Sequence, residues 1–249
     1  MKERIGWQVL FRSLLVQSSW SFSGLQSLGF YFMTWPALAR RRLPEPEMKS
    51  AGMRHLGNFN THPYFAGLVA AAVIREEQGG ASAEAVDNFK RSLMCALGAV
   101  GDEFFWATLR PFAALAALPA ALAGVVWAPL LMLAVYNVPH FWVRAWGVSA
   151  GLEGRRRVVE MLQRRPLSRS LPALSAAIAV LIGFLVGATA FHRSWGLLPG
   201  RGLVSVGVTV SVFLLLFFVQ SRGLAQGRLL ACLSALAALA GVARVVGAP

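Results

Sequence analysis

The chain has 249 residues, of which 56% are hydrophobic and only 14% charged, and its mean hydropathy is +0.57. A soluble domain is about a quarter charged, and so few charges cover a surface only if much of it faces lipid, which excludes an ordinary soluble protein. The formal net charge of +13 rests on arginines clustered between apolar runs, as in Arg40-Arg41-Arg42 and Arg155-Arg156-Arg157, a placement that suits topology setting and anionic headgroups and argues for no nucleic-acid partner.

In chain order, the N-terminus reads as an amphipathic helix lying in the membrane interface. Ile5 and Val9, then Phe11 and Leu15, recur at i, i+4 among charged residues, unlike the apolar stretch of a cleaved leader. Further on, Asn60 or Thr61 is placed to cap a helix with Pro63 in its first turn. The apolar run from Pro63 to Ile74 has 12 residues. That is about 18 Å of helix, too short for a hydrocarbon core of about 30 Å, yet too apolar for a solvated helix. It ends in Arg75-Glu76-Glu77-Gln78, after which Gly79–Ala83 reads as a flexible linker. A second short apolar segment, Leu93–Gly101, closes in Asp102-Glu103-Phe104-Phe105-Trp106. Two short, interrupted apolar segments with polar ends are the sequence pattern of a transporter's mid-membrane site, where free backbone groups are tolerated because they line a cavity.

Pro111–Val143 then runs for 33 residues without a charge. As one helix it would be about 50 Å long, so a broken hairpin or two spans is expected, with Pro119, Pro129 and Pro139 as places to break it. The segment Gly151–Leu171 carries six arginines and two acids, and reads as a cytoplasmic loop. Pro172–Phe191, Leu203–Val219 and Leu229–Ala243 follow as candidate spans, an alternation that puts the C-terminus outside. All eleven acids lie at or before Glu160, so the eight arginines beyond it are expected to snorkel or to meet lipid phosphate or another subunit. The expected architecture is all-α: a polytopic integral membrane protein with N-terminal amphipathic helices, short re-entrant-type helices and several transmembrane helices. Its regions are 1–58, 59–160 and 161–249: interfacial, core and C-terminal.

Glu76, Glu77 and Asp102, at the tips of short apolar segments, are candidates to accept hydrogen bonds from sugar hydroxyls, and Trp106 to stack on a sugar's apolar face. Glu84 and Asp87 read as the solvated face of a helix shared with Arg75, Lys90 and Arg91. The four histidines, His55, His62, His140 and His192, lack metal-ligand spacing, and the sequence holds no GxSxG, Walker or GxGxxG motif, so no metal, cofactor or catalytic group is expected. Cys95 and Cys232 read as small buried hydrophobes, and Trp7, Trp20, Trp35 and Trp195 as interfacial anchors.

Several motifs in this order resemble the IID family of the mannose/fructose/sorbose phosphotransferase permeases. They are Phe11-Arg12-Ser13 through Gln17-Ser18-Ser19-Trp20-Ser21-Phe22, Gln26-Ser27-Leu28-Gly29-Phe30, Arg54-His55-Leu56, Phe59-Asn60-Thr61-His62-Pro63, Glu76-Glu77-Gln78, Gly101-Asp102 with Phe105-Trp106, and Tyr136-Asn137 with Trp146-Gly147-Val148. The resemblance covers residues 8–160 by motif and the remainder by hydropathy. It implies a multi-pass subunit of the bacterial cytoplasmic membrane that pairs with IIC to pass a mannose-type hexose. IIB, phosphorylated by IIA, phosphorylates the sugar on arrival; IID is non-catalytic, carries no phosphohistidine and joins a higher oligomer of IIC–IID pairs. Asn60, Thr61, His62, Glu76, Glu77, Asp102, Trp106 and Asn137 are then the residues expected to meet substrate or partner subunits. The sequence departs from the family pattern at Met94-Cys95-Ala96-Leu97-Gly98-Ala99, which lacks a proline, and at Glu103, where the family has another. That departure implies a second reading, a scaffold or regulator that moves no sugar.

Overall fold

The computed structural model describes the backbone of residues 2–164 and 166–194, and the side chains of residues 3–164 and 166–185. The chain divides into two compact units, Met1–Leu174 and Ser175–Pro249. The first holds α1 (Lys2–Ser13), α2 (Ser27–Ala39), α3 (Glu45–Leu56), α4 (Ala66–Gln78), α5 (Ala83–Gly101), a wide-turned π-helical stretch (Asp102–Leu109), α6 (Arg110–Leu122), α7 (Ala128–Glu153), α8 (Arg155–Arg164) and the start of α9 (Pro166–Ser194). Of the second unit, only the rest of α9 is described. The candidate span Pro172–Phe191 falls within α9, whereas Leu203–Val219 and Leu229–Ala243 lie outside the described residues. Among the described residues there is no strand, only isolated bridges joining Leu25 to Ser21 and to Phe59.

The short apolar helix, α4, is the centre of the first unit. It packs against α1, α2, α5, α7 and α8, and every residue from Ala66 to Ile74 is buried. This explains a helix too short to span and too apolar for water: protein surrounds it on all sides, so its ends need neither lipid nor solvent. Close packing needs small residues where helices cross. A Cβ on Gly151 of α7 would stand 2.6 Å from the Leu68 carbonyl oxygen and 2.7 Å from Ala71 Cβ, and one on Gly67 would stand 2.9 Å from Val148 Cγ2. With little hydrophobic drive between helices in lipid, such backbone approach is the main source of helix–helix adhesion.

The second short segment is not a separate half-helix. Met94, Cys95, Ala96 and Leu97 are compatible with helix, no proline falls between Met94 and Arg110, and α5 continues through the π-helical stretch into α6 as one 40-residue helix, Ala83–Leu122. Within it, the Thr108 hydroxyl donates to the Glu103 carbonyl five residues back at 2.9 Å, in keeping with the wider turn. This helix and Arg155–Leu185 are the two among the described residues that are long and apolar enough to cross a membrane.

Pro111–Val143 does break into a hairpin. Its turn is Ala123–Trp127, with Gly124 at φ 79° and Val125 N–H donating to Ala120 O at 2.9 Å. The break comes from that glycine: Pro119 sits near the end of α6, Pro129 in the first turn of α7, and Pro139 inside α7 without ending it. The arginine-rich segment expected as a loop folds as α8, turning off α7 at Gly154 (φ 111°) and burying Val158 and Met161. Cys95 is exposed on α5 rather than buried, because the buried side of that helix runs through Leu93 and Leu97. Along α1, Ile5 and Val9 are buried while Trp7 and Phe11 stay exposed, and Trp20 and Trp35 are exposed as well.

Candidate functional site

Two polar clusters flank α4. At its C-terminal end Glu77, 5% exposed, takes both oxygens into ion pairs: Arg41 contacts Oε2, and Arg54 donates to Oε1 through Nη2 at 2.6 Å and Nε at 3.1 Å. His55 Nε2 lies 3.3 Å from the same oxygen. Burial pushes the Glu77 carboxyl up, but the His55 and Arg54 side chains outweigh it and hold it down at about 2. Burial likewise holds His55 below its ordinary value, against the pull of Glu77. Beside it, Glu76 accepts from Arg155 at 2.5 and 3.1 Å, and that guanidinium lies 4.3 Å over the Phe89 ring. Lys90 is no part of a solvated face: it is buried and donates to the Arg54 carbonyl at 2.7 Å, next to the Phe30 ring. Glu84 is exposed and Asp87 is half-buried near Lys90. Both acids at this end of α4 are therefore engaged by the chain's own cations, tying α2, α3 and α8 to the central helix.

The second cluster lies at the N-terminal end of α4. Thr61 does not cap the helix, which begins at Ala66; its backbone N–H and carbonyl are held in a two-way pair with the Gln26 side chain. His62 is buried against Gly101, where a Cβ would come within 2.3 Å of the His62 Cβ. Its ring stacks on Phe105 (5.1 Å, 17°) and stands 4.9 Å from Trp106. His62 Nδ1 accepts from the Tyr64 backbone N–H at 3.4 Å, while His62 Nε2 and Thr61 Oγ1 are buried with no partner among the described residues. Burial first, then the charges of Arg144 and His140, holds His62 down at about 3, so the imidazole is neutral. Asn60 is exposed at the rim, as are Asp102, next after Gly101, and Trp106, 41% exposed.

From this corner a polar and aromatic seam runs into the bundle. The Tyr64 and Tyr136 hydroxyls lie 2.9 Å apart, and Tyr64 stacks on His140 at 3.7 Å. Arg144 donates to His140 Nε2 at 2.7 Å, to the Ser13 carbonyl at 2.7 Å and to Ser13 Oγ at 2.8 Å. Asn137 joins through His140 Nδ1 at 3.2 Å while bonding the Leu133 carbonyl of its own helix. Of the residues expected from sequence, the structure thus brings Asn60, Thr61, His62, Asp102 and Trp106 to one corner, links Asn137 to it through His140, and places Glu76 and Glu77 at the opposite end of α4.

A family model for the PTS system mannose/fructose/sorbose family IID component matches residues 1–192. The chain belongs to the IID family. It is 41% identical over 151 residues to the mannose-specific EIID component of Escherichia coli (strain K12), covering 57% of this chain and 53% of that protein. It is 30% identical over 183 residues to the sorbose-specific EIID component of Klebsiella pneumoniae, covering 72% and 67%. The match thus spans about half the length of the Escherichia coli relative. A solved membrane-protein structure shares its fold with a TM-score of 0.67 at 24% identity, over 98% of this chain and 97% of that one. The cryo-EM structure of mannose transporter ManYZ with microcin E492 does so at 0.59 and 23%, over 99% and 97%.

For this IID chain, sequence reading missed the residues that complete the seam: Ser13, Gln26, Tyr64, His140 and Arg144. Arg144 carried a signal, as a single cation at the end of 33 uncharged residues, where a charge at membrane depth marks function or a buried partner. Ser13 carried none beyond its place in a motif, and Tyr64 none beyond the apolar run after Pro63. Two apolar clefts lie apart from this corner. One of about 550 Å³ is lined by Leu15, Leu28, Phe32 and Trp35, and one of about 370 Å³ by Phe65, Leu97, Val100 and Trp146. Their linings suit acyl chains better than a sugar's hydroxyls.

Proposed function

We propose that this chain is the IID membrane subunit of a phosphotransferase-system sugar permease, multi-pass in the bacterial cytoplasmic membrane, and that it forms the pathway for a mannose-type hexose together with a IIC subunit. In this reading cytoplasmic IIB, charged by IIA, phosphorylates the sugar, and IID supplies no covalent chemistry. IIC–IID pairs assemble into a higher oligomer within the lipid. Family membership supports the reading, and the observation that carries it is the corner at the N-terminus of α4. A partly exposed indole, an exposed carboxylate on the adjoining turn and two buried polar atoms without partners among the described residues, Thr61 Oγ1 and His62 Nε2, converge there. An aromatic face beside hydrogen-bonding groups is what a hexose presents surfaces for. Glu76 and Glu77 serve in this reading to hold helices together, and the sugar contacts of the chain fall to Asn60, Thr61, His62, Asp102 and Trp106.

The test is phosphorylation-coupled uptake by the assembled complex carrying Asp102→Asn or Trp106→Ala. Removing one charge-assisted hydrogen bond or one stacking face should cut uptake at limiting sugar about tenfold or more, with assembly unchanged. Uptake indistinguishable from wild type in both variants would remove this corner from the sugar's path.

A further inference from the structure

We propose that Gln26 is a positioning residue for the 59–62 corner: its side-chain amide takes the place of a neighbouring strand and fixes where Thr61 Oγ1 and His62 Nε2 stand. The proposal rests on reading that corner as a sugar contact.

Gln26 is buried (3% exposed) and engages both edges of Thr61, 35 residues away in sequence. Its Nε2 donates to the Thr61 carbonyl at 2.9 Å, and its Oε1 accepts from the Thr61 N–H at 3.2 Å. Its own backbone N–H donates to the Phe59 carbonyl at 2.9 Å, one of the two hydrogen bonds that make the Leu25–Phe59 bridge. The orientation of the amide follows from the pairing, since a flip would set donor against donor and acceptor against acceptor. Thr61 lies five residues before the first residue of α4, too far to cap it, and its Oγ1 has no partner among the described residues.

The residue before Gln26 is held under strain. Leu25 has φ 56°, a left-handed conformation that side chains other than glycine rarely adopt. Hydrogen bonds with Ser21 in both directions, at 3.1 and 2.8 Å, keep it there. Such strain persists only where surrounding structure over-determines it, and it aims the Gln26 side chain at Thr61. On the far side, a Cβ on Gly98 would stand 3.8 Å from Thr61 Cα, and Gly101 has no room for one beside His62. The corner is thus held from both sides, by the Gln26 amide at Thr61 and by the close approach of Gly101 at His62. No shorter or charged side chain can replace that amide: Asn is one methylene short, and Glu cannot donate to the Thr61 carbonyl.

The experiment compares the full chain, wild type, Gln26→Ala and Gln26→Glu, by hydrogen exchange in detergent and by uptake in the complete complex. Loss of two buried hydrogen bonds should speed exchange in residues 59–62 about tenfold or more in Gln26→Ala. Gln26→Glu should raise KM for the sugar about tenfold while maximal uptake per assembled complex stays within about twofold. A part in folding alone would lower the amount of assembled complex and leave KM where it was. Unchanged exchange at 59–62 in both variants, or an unchanged KM, would overturn the proposal. If the wild-type complex moves no sugar, the permease reading falls instead, and the exchange rates alone decide what Gln26 does.

Discussion

Glu77 shows how a buried acid at a helix end can look like a binding residue and serve as a joint. Its two oxygens satisfy Arg41 and Arg54, which come from the turn after α2 and from α3. Glu77→Gln leaves those cations in poorly solvated surroundings without a counter-charge, and is expected to destabilise the fold by about 2–4 kcal/mol, read as a lowered midpoint of thermal unfolding in detergent. The sign of the pH dependence follows from the same contacts. Glu77 is held at about 2, below the usual carboxylate range, so the folded form is favoured above its ordinary value of 4.5. On the order of 2–3 kcal/mol is lost as pH falls from there toward 2. His55, held below its ordinary 6.5, acts in the same direction over a higher window. Unfolding followed from pH 7 to pH 3 should therefore show stability falling with acid, and Glu77→Gln should flatten the part of that fall below about pH 4.5.

At the scale of the element, α4 depends on how closely α7 approaches it. Gly151→Ala places a methyl 2.6 Å from the Leu68 carbonyl oxygen, a backbone atom that cannot swing aside. The expected cost is about 1–3 kcal/mol, with Gly151→Leu more severe, measured by the same thermal midpoint. Gly80→Ala is the contrast: nothing lies within 4 Å of its Cβ, so the cost there is confined to its φ of 76°. The short length and high apolarity of α4 were legible from residues 63–74, because a 12-residue run cannot cross the bilayer and must be enclosed. The segment Leu93–Gly101 misled, because its glycines suggested interruption. Gly101 instead clears space for the His62 side chain within an unbroken helix, a tertiary reason that no local pattern carries.

Across the whole molecule, the all-α architecture and the hairpin between α6 and α7 followed from hydropathy and from the limit that bilayer thickness sets on one helix. The candidate corner was legible only in part. Asn60, Thr61 and His62 stood out through their motif, and Asp102 and Trp106 through a polar end on an apolar run, but their meeting depends on Gln26 and on a seam reaching Ser13 of α1. Pairing across 35 or 131 residues leaves no periodic trace in a sequence. Arg144 is the tie whose loss should be felt furthest. Arg144→Met strands the Ser13 carbonyl and His140 Nε2 and should lower stability by about 2–4 kcal/mol, seen as earlier unfolding and faster exchange in α1.

The central claim, that this IID chain completes a sugar pathway with a second membrane subunit, is tested most directly by phosphoenolpyruvate-dependent uptake of labelled mannose, fructose and sorbose. Cells lacking their own permeases of this class would express IIA, IIB and IIC with or without this chain. Uptake of at least one hexose that requires the chain is the predicted result. A fully assembled complex that moves none of the three sugars would contradict it, and would favour a scaffold or regulator in the membrane.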